Sequence, residues 1–134
     1  MRRLAIVVAL GLASAAAAAE IGALSLFGGG DFQPGRYQFS AAAGGGTVSN
    51  RCIITPDMLL HTGLEEADGR DCAHTVIENT SERATVAYSC RGLGSGRTTI
   101  IKDNRNHFTI DAQGIRGREP FAMRQEARRV GDCG

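Results

Sequence analysis

The chain has 134 residues, 15 of them basic and 14 acidic, for a formal net charge of +1 at neutral pH. A length of this order holds one domain with a modest core, which covalent staples would reinforce. Charge so near zero excludes wholesale nucleic-acid binding, which draws on a basic excess.

Arg2 and Arg3 form a basic start, Leu4 to Leu12 an apolar run, and Ala17-Ala18-Ala19 a small-residue cleavage site. This pattern is that of an export signal over residues 1–19, cleaved near Ala19 and Glu20. The apolar run falls short of the roughly 20 residues that a spanning helix needs, so no integral membrane anchor is expected after cleavage. Losing Arg2 and Arg3 takes the formal charge from +1 to −1. All four cysteines, Cys52, Cys72, Cys90 and Cys133, lie in the exported part. An even count in a small exported domain argues for two disulfides.

Residues 20–33 are expected to form a flexible N-terminal segment. Ile21 to Phe27 is apolar and Gly28-Gly29-Gly30 a joint, so the stretch is poorly ordered or docks late as an edge. The β domain then covers residues 34–134. Pro34-Gly35 opens the first strand, where Tyr37 and Phe39 alternate with Arg36, Gln38 and Ser40. Gly44-Gly45-Gly46 turns the chain, and Thr47 to Ile53 runs back to Cys52. Thr55-Pro56-Asp57 starts a short helix: threonine as cap, proline at the first position, aspartate at the positive end of the dipole. Met58, Leu59 and Leu60 give this helix an apolar side and Gly63 stops it.

An acidic loop, Glu65 to Asp71, leads to a hairpin between Cys72 and Cys90. Its two runs, rich in Val, Ile, Thr and Tyr, flank the turn Asn79-Thr80-Ser81-Glu82. That sets Val76 near Val86, His74 near Tyr88 and Cys72 opposite Cys90. Gly92 to Gly96 is a glycine-rich turn, Arg97 to Lys102 a strand, and Asp103 to Asn106 a further turn. Phe108, Ile110 and Ala112 mark one face of the next strand, and Gly114 to Gly117 turns again. Residues 119–130 are divided between helix and strand, since Ala, Met, Gln, Glu and Arg favour helix while alternation fits in part.

Short strands separated by polar or glycine turns give a mainly β fold. It is an antiparallel meander sheet, curled towards a half-barrel, with one short helix and two disulfides. Strand direction constrains the bridges. Cys72 opens one strand and Cys90 closes the next, so both lie at one end of the sheet. Three further strands put Cys133 at the other end, which leaves it for Cys52.

Four motifs occur in order: Pro34-Gly35-Arg36-Tyr37, then Cys52-Ile53-Ile54-Thr55-Pro56-Asp57, then the Cys72 and Cys90 pair, then Arg128-Arg129-Val130-Gly131-Asp132-Cys133. In these the chain resembles the domain-of-unknown-function family 3617, small exported proteins of Gram-negative bacteria. Ile54 adds one residue to the commoner spacing before Thr55, which shifts the entry to the helix. The resemblance implies a periplasmic address and a β-rich fold, and favours strand over residues 119–130. It carries no agreed activity, so no catalytic residue transfers.

The residues themselves offer no catalytic constellation, and no enzyme activity or cofactor is expected. Cysteine spacing lacks Cys-x-x-Cys and suits structural bridges better than zinc or redox chemistry. His61, His74 and His107 stand at no metal-ligand spacing, with His74 on the same face as Cys72 and Tyr88. Ser95 lacks a nucleophile motif, and Gly92-x-Gly94-x-Gly96 misses the dinucleotide pattern. Two surfaces remain. Arg116, Arg118, Arg124, Arg128 and Arg129 are a candidate stripe for phosphate or carboxylate groups, against the favoured alternative that they pair with the acidic loop and with their own strand neighbours. Tyr37, Phe39, Tyr88, Phe108 and Ile110 line a concave face if the sheet curls. The expected function is a non-enzymatic periplasmic module for an envelope component, small ligand or periplasmic protein. The alternative is an inhibitor of an envelope-attacking enzyme such as a lysozyme or protease, for which a rigid stapled domain is suited.

Overall fold

The computed structural model describes residues 24–134 apart from Asp31 and Gly45. The expected export signal over 1–19 lies outside the described residues. Seven strands form one antiparallel sheet: β1 (Gly35–Ala41), β2 (Ser49–Ile53), β3 (Ala73–Asn79), β4 (Arg83–Cys90), β5 (Gly94–Asn104), β6 (His107–Arg116) and β7 (Glu119–Gly131). Among the described residues one α-helix, α1 (Asp57–Leu60), follows β2, and short 3-10 turns cover Ser25–Gly30 and Glu65–Ala67.

The order across the sheet is β2-β1-β7-β6-β5-β4-β3. From β3 to β7 it is the expected meander. The first hairpin joins through β1 pairing with β7, with Phe39 opposite Ala127 and Gln38 opposite Arg128. The sheet is not closed: β2 and β3 are its two edges. Because these consecutive strands sit at opposite edges, the chain from Ile54 to Cys72 has to cross a face of the sheet. It carries α1 and the Glu65–Ala67 turn over the inner side, where Leu59 and Leu60 are fully buried with Tyr37, Phe39, Val86, Ile100, Phe108 and Ile110. Thr98 on β5, itself buried, donates its hydroxyl to the Leu60 carbonyl and so satisfies one helix-end acceptor.

Both cysteine pairs match the expectation from strand direction. Cys52 bonds Cys133 across 81 positions of sequence, and Cys72 bonds Cys90 across 18. The hairpin register holds too, with Val76 opposite Val86 and His74 opposite Tyr88. Residues 119–130 are strand. β7 has a paired neighbour on each side, so sheet hydrogen bonds outweigh the helical leaning of its side chains.

Three expectations need correction. Leu24, Leu26 and Phe27 are core, not a loose or edge segment: Phe27 packs edge-on against Phe108 at 5.9 Å, and the Ser25 N–H donates to Asn79 Oδ1 at 2.7 Å. Burial of three large apolar side chains outweighs the freedom of the glycines that follow. Thr55 does not cap α1, where Pro56 holds the cap position without a side-chain hydrogen bond. Gly94, Gly96 and Gly114 lie in strands rather than turns. Tyr88, Gly96, Gly114 and Phe121 form one row across β4 to β7. A Cβ on Gly96 would meet the Tyr88 hydroxyl at 2.5 Å, and one on Gly114 the Phe121 ring at 2.8 Å. The glycines leave room for aromatic rings to lie over the strands.

Candidate functional site

The expected concave aromatic face is not open. Tyr37, Phe39, Tyr88, Phe108 and Ile110 are all at most 4% exposed, because α1 and the N-terminal 3-10 turn cover the inner side and Leu64 and Ala67 of the crossing segment cover Tyr88. A ligand site there would require displacing the helix.

Nor do the five candidate arginines form one stripe. Arg116 donates to the Gly63 carbonyl at 2.6 Å and pairs with Glu65 and Glu66 at 3.3 and 3.6 Å. Arg124 pairs with Asp111 at 3.4 Å, and Arg129 with Asp132 at 2.6 Å and the Pro34 carbonyl at 3.1 Å. Successive strand residues point to opposite faces, so Arg129 stands with Tyr37 while Arg128 stands with Gln38 on the outer side. Arg118 is left without an acidic partner among the described residues. Its neighbour is Arg91, which the sequence reading passed over. The β4–β5 and β6–β7 turns meet through the Gly117 N–H donating to the Leu93 carbonyl at 2.8 Å. Arg91 and Arg118, both exposed, line one depression there, and Arg97 lines a shallow groove beside it on the outer face.

A second cluster sits where the crossing segment meets the sheet edges. His61 follows α1 and is 1% exposed. The chain then turns at Gly63, whose φ of +91° and contact with the Phe121 ring exclude a side chain. His61 Nδ1 lies 3.1 Å from Asp68 Oδ1, and its Nε2 lies 3.1 Å from His74 Nε2. Arg51 donates to the other Asp68 oxygen at 3.1 Å. Arg51 belongs to β2 and His74 to β3, so this polar chain links the two free edges of the sheet. Burial, and then the neighbouring His61, push the His74 pKa down from its ordinary value. The Tyr88 ring packs edge-on against His61 at 4.9 Å. A ring nitrogen of His61 and the sulfurs of Cys72 and Cys90 all lie within 4.8 Å of one another.

The model of a family described as "Protein of unknown function (DUF3617)" matches residues 32–133. The chain belongs to that family. No curated protein and no solved structure matches it. Within this DUF3617 domain lie both bridges, the histidine corner and the three arginines of the turn end. Only one part of the histidine corner had a local sequence signal, the Cys72-x-His74 spacing that places both on one strand face. His61 and Asp68 reach it through the crossing of the sheet, which no local pattern encodes.

The Tyr88 hydroxyl is buried with no hydrogen-bond partner among the described residues, and its pKa is pushed up to about 12 by burial and then by the negative Glu65 and Asp68. The unfolded chain gives up this proton near 10, earlier than the DUF3617 fold does. Stability should therefore fall as pH rises from 10 towards 12, by about 2–3 kcal/mol at most. Denaturation curves across that interval test it. Tyr88→Phe should flatten the dependence while leaving stability at neutral pH little changed, since it removes an unpaired hydroxyl. An equally steep loss in the variant would assign the effect elsewhere.

Proposed function

We propose that the protein is an exported, periplasmic, non-enzymatic binding module that takes an anionic component of the cell envelope at the arginines of its turn end. The observation that carries this reading is the pairing of Arg91 and Arg118 round one depression, with Arg97 adjacent and no acidic partner for any of the three among the described residues. Guanidinium groups suit this work because their fork of donors matches phosphate and carboxylate oxygens. The inner face is filled by α1 and the N-terminal 3-10 turn. With formal charge near zero, recognition of an anion falls to a local cluster instead of a general field. Support for export comes from the basic-apolar-small pattern of residues 1–19, from the two disulfides, and from the family resemblance. Among the described residues, no helix is long and apolar enough to cross a membrane.

The test is binding of the full chain to vesicles with and without anionic phospholipid. Each arginine near such a surface contributes about 1 kcal/mol, so Arg91→Ala with Arg118→Ala should weaken binding about 30-fold. Added salt should weaken it further. Equal binding to neutral and anionic vesicles, or no change in the double variant, would remove the reading. Both side chains are exposed, so the substitutions leave the core intact.

A further inference from the structure

We infer that opening the Cys72–Cys90 disulfide turns the histidine corner into a tetrahedral zinc-type metal site, with Cys72 Sγ, Cys90 Sγ, His61 Nε2 and His74 Nε2 as ligands. This inference is independent of the arginine cluster. Its first support is the facing of the two ring nitrogens, 3.1 Å apart. Two metal–nitrogen bonds of about 2.0–2.1 Å meeting at the tetrahedral angle hold their nitrogens about 3.3–3.4 Å apart, so a cation fits between them after a small outward shift. The second is the proximity of both sulfurs to one ring nitrogen of His61, the three atoms within 4.8 Å of one another, with His74 joined to that group through its contact with His61 Nε2.

The third support is what stands behind His61. Asp68 faces its Nδ1 at 3.1 Å and is itself held by Arg51. A carboxylate there accepts the Nδ1 proton and leaves the Nε2 lone pair for a metal, the carboxylate–histidine–metal arrangement of outer-shell support. The surroundings are apolar: Leu64, Ala67 and Tyr88 pack with Cys90 in one buried cluster. Two thiolates and two imidazoles favour zinc over hard cations, and the two negative charges balance the ion.

The chemistry closes with a dithiol as reductant. One of its thiolates attacks the partly exposed Cys72 sulfur and releases Cys90 as thiolate, and its second thiol completes its own disulfide. Two electrons pass from the dithiol to the Cys72–Cys90 pair. The divalent ion then binds both sulfurs as thiolates and displaces the two protons they carry. A disulfide oxidant reverses the exchange: it takes two electrons from the two thiolates, re-forms the Cys72–Cys90 bond, leaves as its own dithiol and so releases the ion. The corner thereby closes covalently when oxidised and by coordination when reduced.

The experiment uses the full chain, oxidised or treated with dithiothreitol, titrated with Co2+ as a spectroscopic probe and followed by circular dichroism. The expected result is one equivalent bound in the reduced protein only, with the intense visible bands of tetrahedral cobalt and a sulfur-to-cobalt charge-transfer band. His61→Ala and His74→Ala should each abolish the tetrahedral spectrum. Asp68→Asn should weaken binding about 10- to 100-fold while keeping the spectrum's shape. If reduction unfolds the chain, addition of the metal should restore the β signal. An absent spectrum after reduction, or one unchanged in the histidine variants, would overturn the inference. So would a spectrum that persists in Cys72→Ser with Cys90→Ser, since the metal would then sit on Cys52 and Cys133.

Discussion

Replacing Cys52 and Cys133 by alanine should lower the unfolding free energy by about 4.5 kcal/mol, the largest loss expected for one bridge. The bond spans 81 positions, and the chain-entropy relation scales with the logarithm of the loop it closes. The same relation gives about 3 kcal/mol for Cys72 and Cys90, whose separation is 18. Location adds a local effect. Cys52 lies in β2, an edge strand that pairs only with β1 and is mostly exposed along its length. Without the bond to Cys133, nothing covalent ties that edge to the far end of β7. Urea denaturation measures the global loss, and amide exchange over Asn50 to Ile53 the local one. A loss below about 1 kcal/mol, with β2 still as protected as β6, would refute the account.

The second large effect is expected at the helix that fills the inner face. Leu60→Ala should cost about 2–5 kcal/mol, the range for deleting a fully buried leucine when its surroundings relax only in part. Leu60 belongs to the same core as Tyr37, Phe39 and Phe108, and its carbonyl takes the Thr98 hydroxyl, so the helix has little freedom to collapse into the gap. The resulting cavity would be apolar and near the aromatic rings. An apolar gas or small aromatic molecule should therefore raise the variant's melting temperature and leave the parent's unchanged. A loss under about 1 kcal/mol would mean that α1 is not seated as described.

Much of the sheet was legible because its signals are local. Tyr37 and Phe39, or Phe108, Ile110 and Ala112, alternate along half-buried strands, and the residues flanking Asn79 to Glu82 mirror one another. The cysteine pairing was legible for a different reason: reversal of direction at every turn leaves two ends, and each bridge needs both partners at one of them. What escaped depends on the β1–β7 pairing. It puts β2 and β3 at opposite edges, and from that follows the crossing that buries Tyr37 and Tyr88 and carries His61 to His74. Nothing near Leu59 in the sequence says which face it will cover. Gly96 and Gly114 misled because a glycine under an aromatic ring looks, in sequence, like a glycine in a turn. Arg116 pairs with the acidic loop as the favoured alternative has it, while the ties of Arg116 and Arg129 to the Gly63 and Pro34 carbonyls depend on the fold and carry no local signal.

The pairing of β1 with β7 has a temporal side. A chain that emerges from its N-terminus forms the β1–β2 hairpin long before β7, the second neighbour of the Tyr37 and Phe39 strand, exists. The leading hairpin and the Cys52 thiol then wait, unpartnered, for the final stretch to follow. Contacts so distant in sequence form slowly, so the native sheet is completed only after synthesis has delivered its last strand. Until then the β1 edge that β7 will cover stays open.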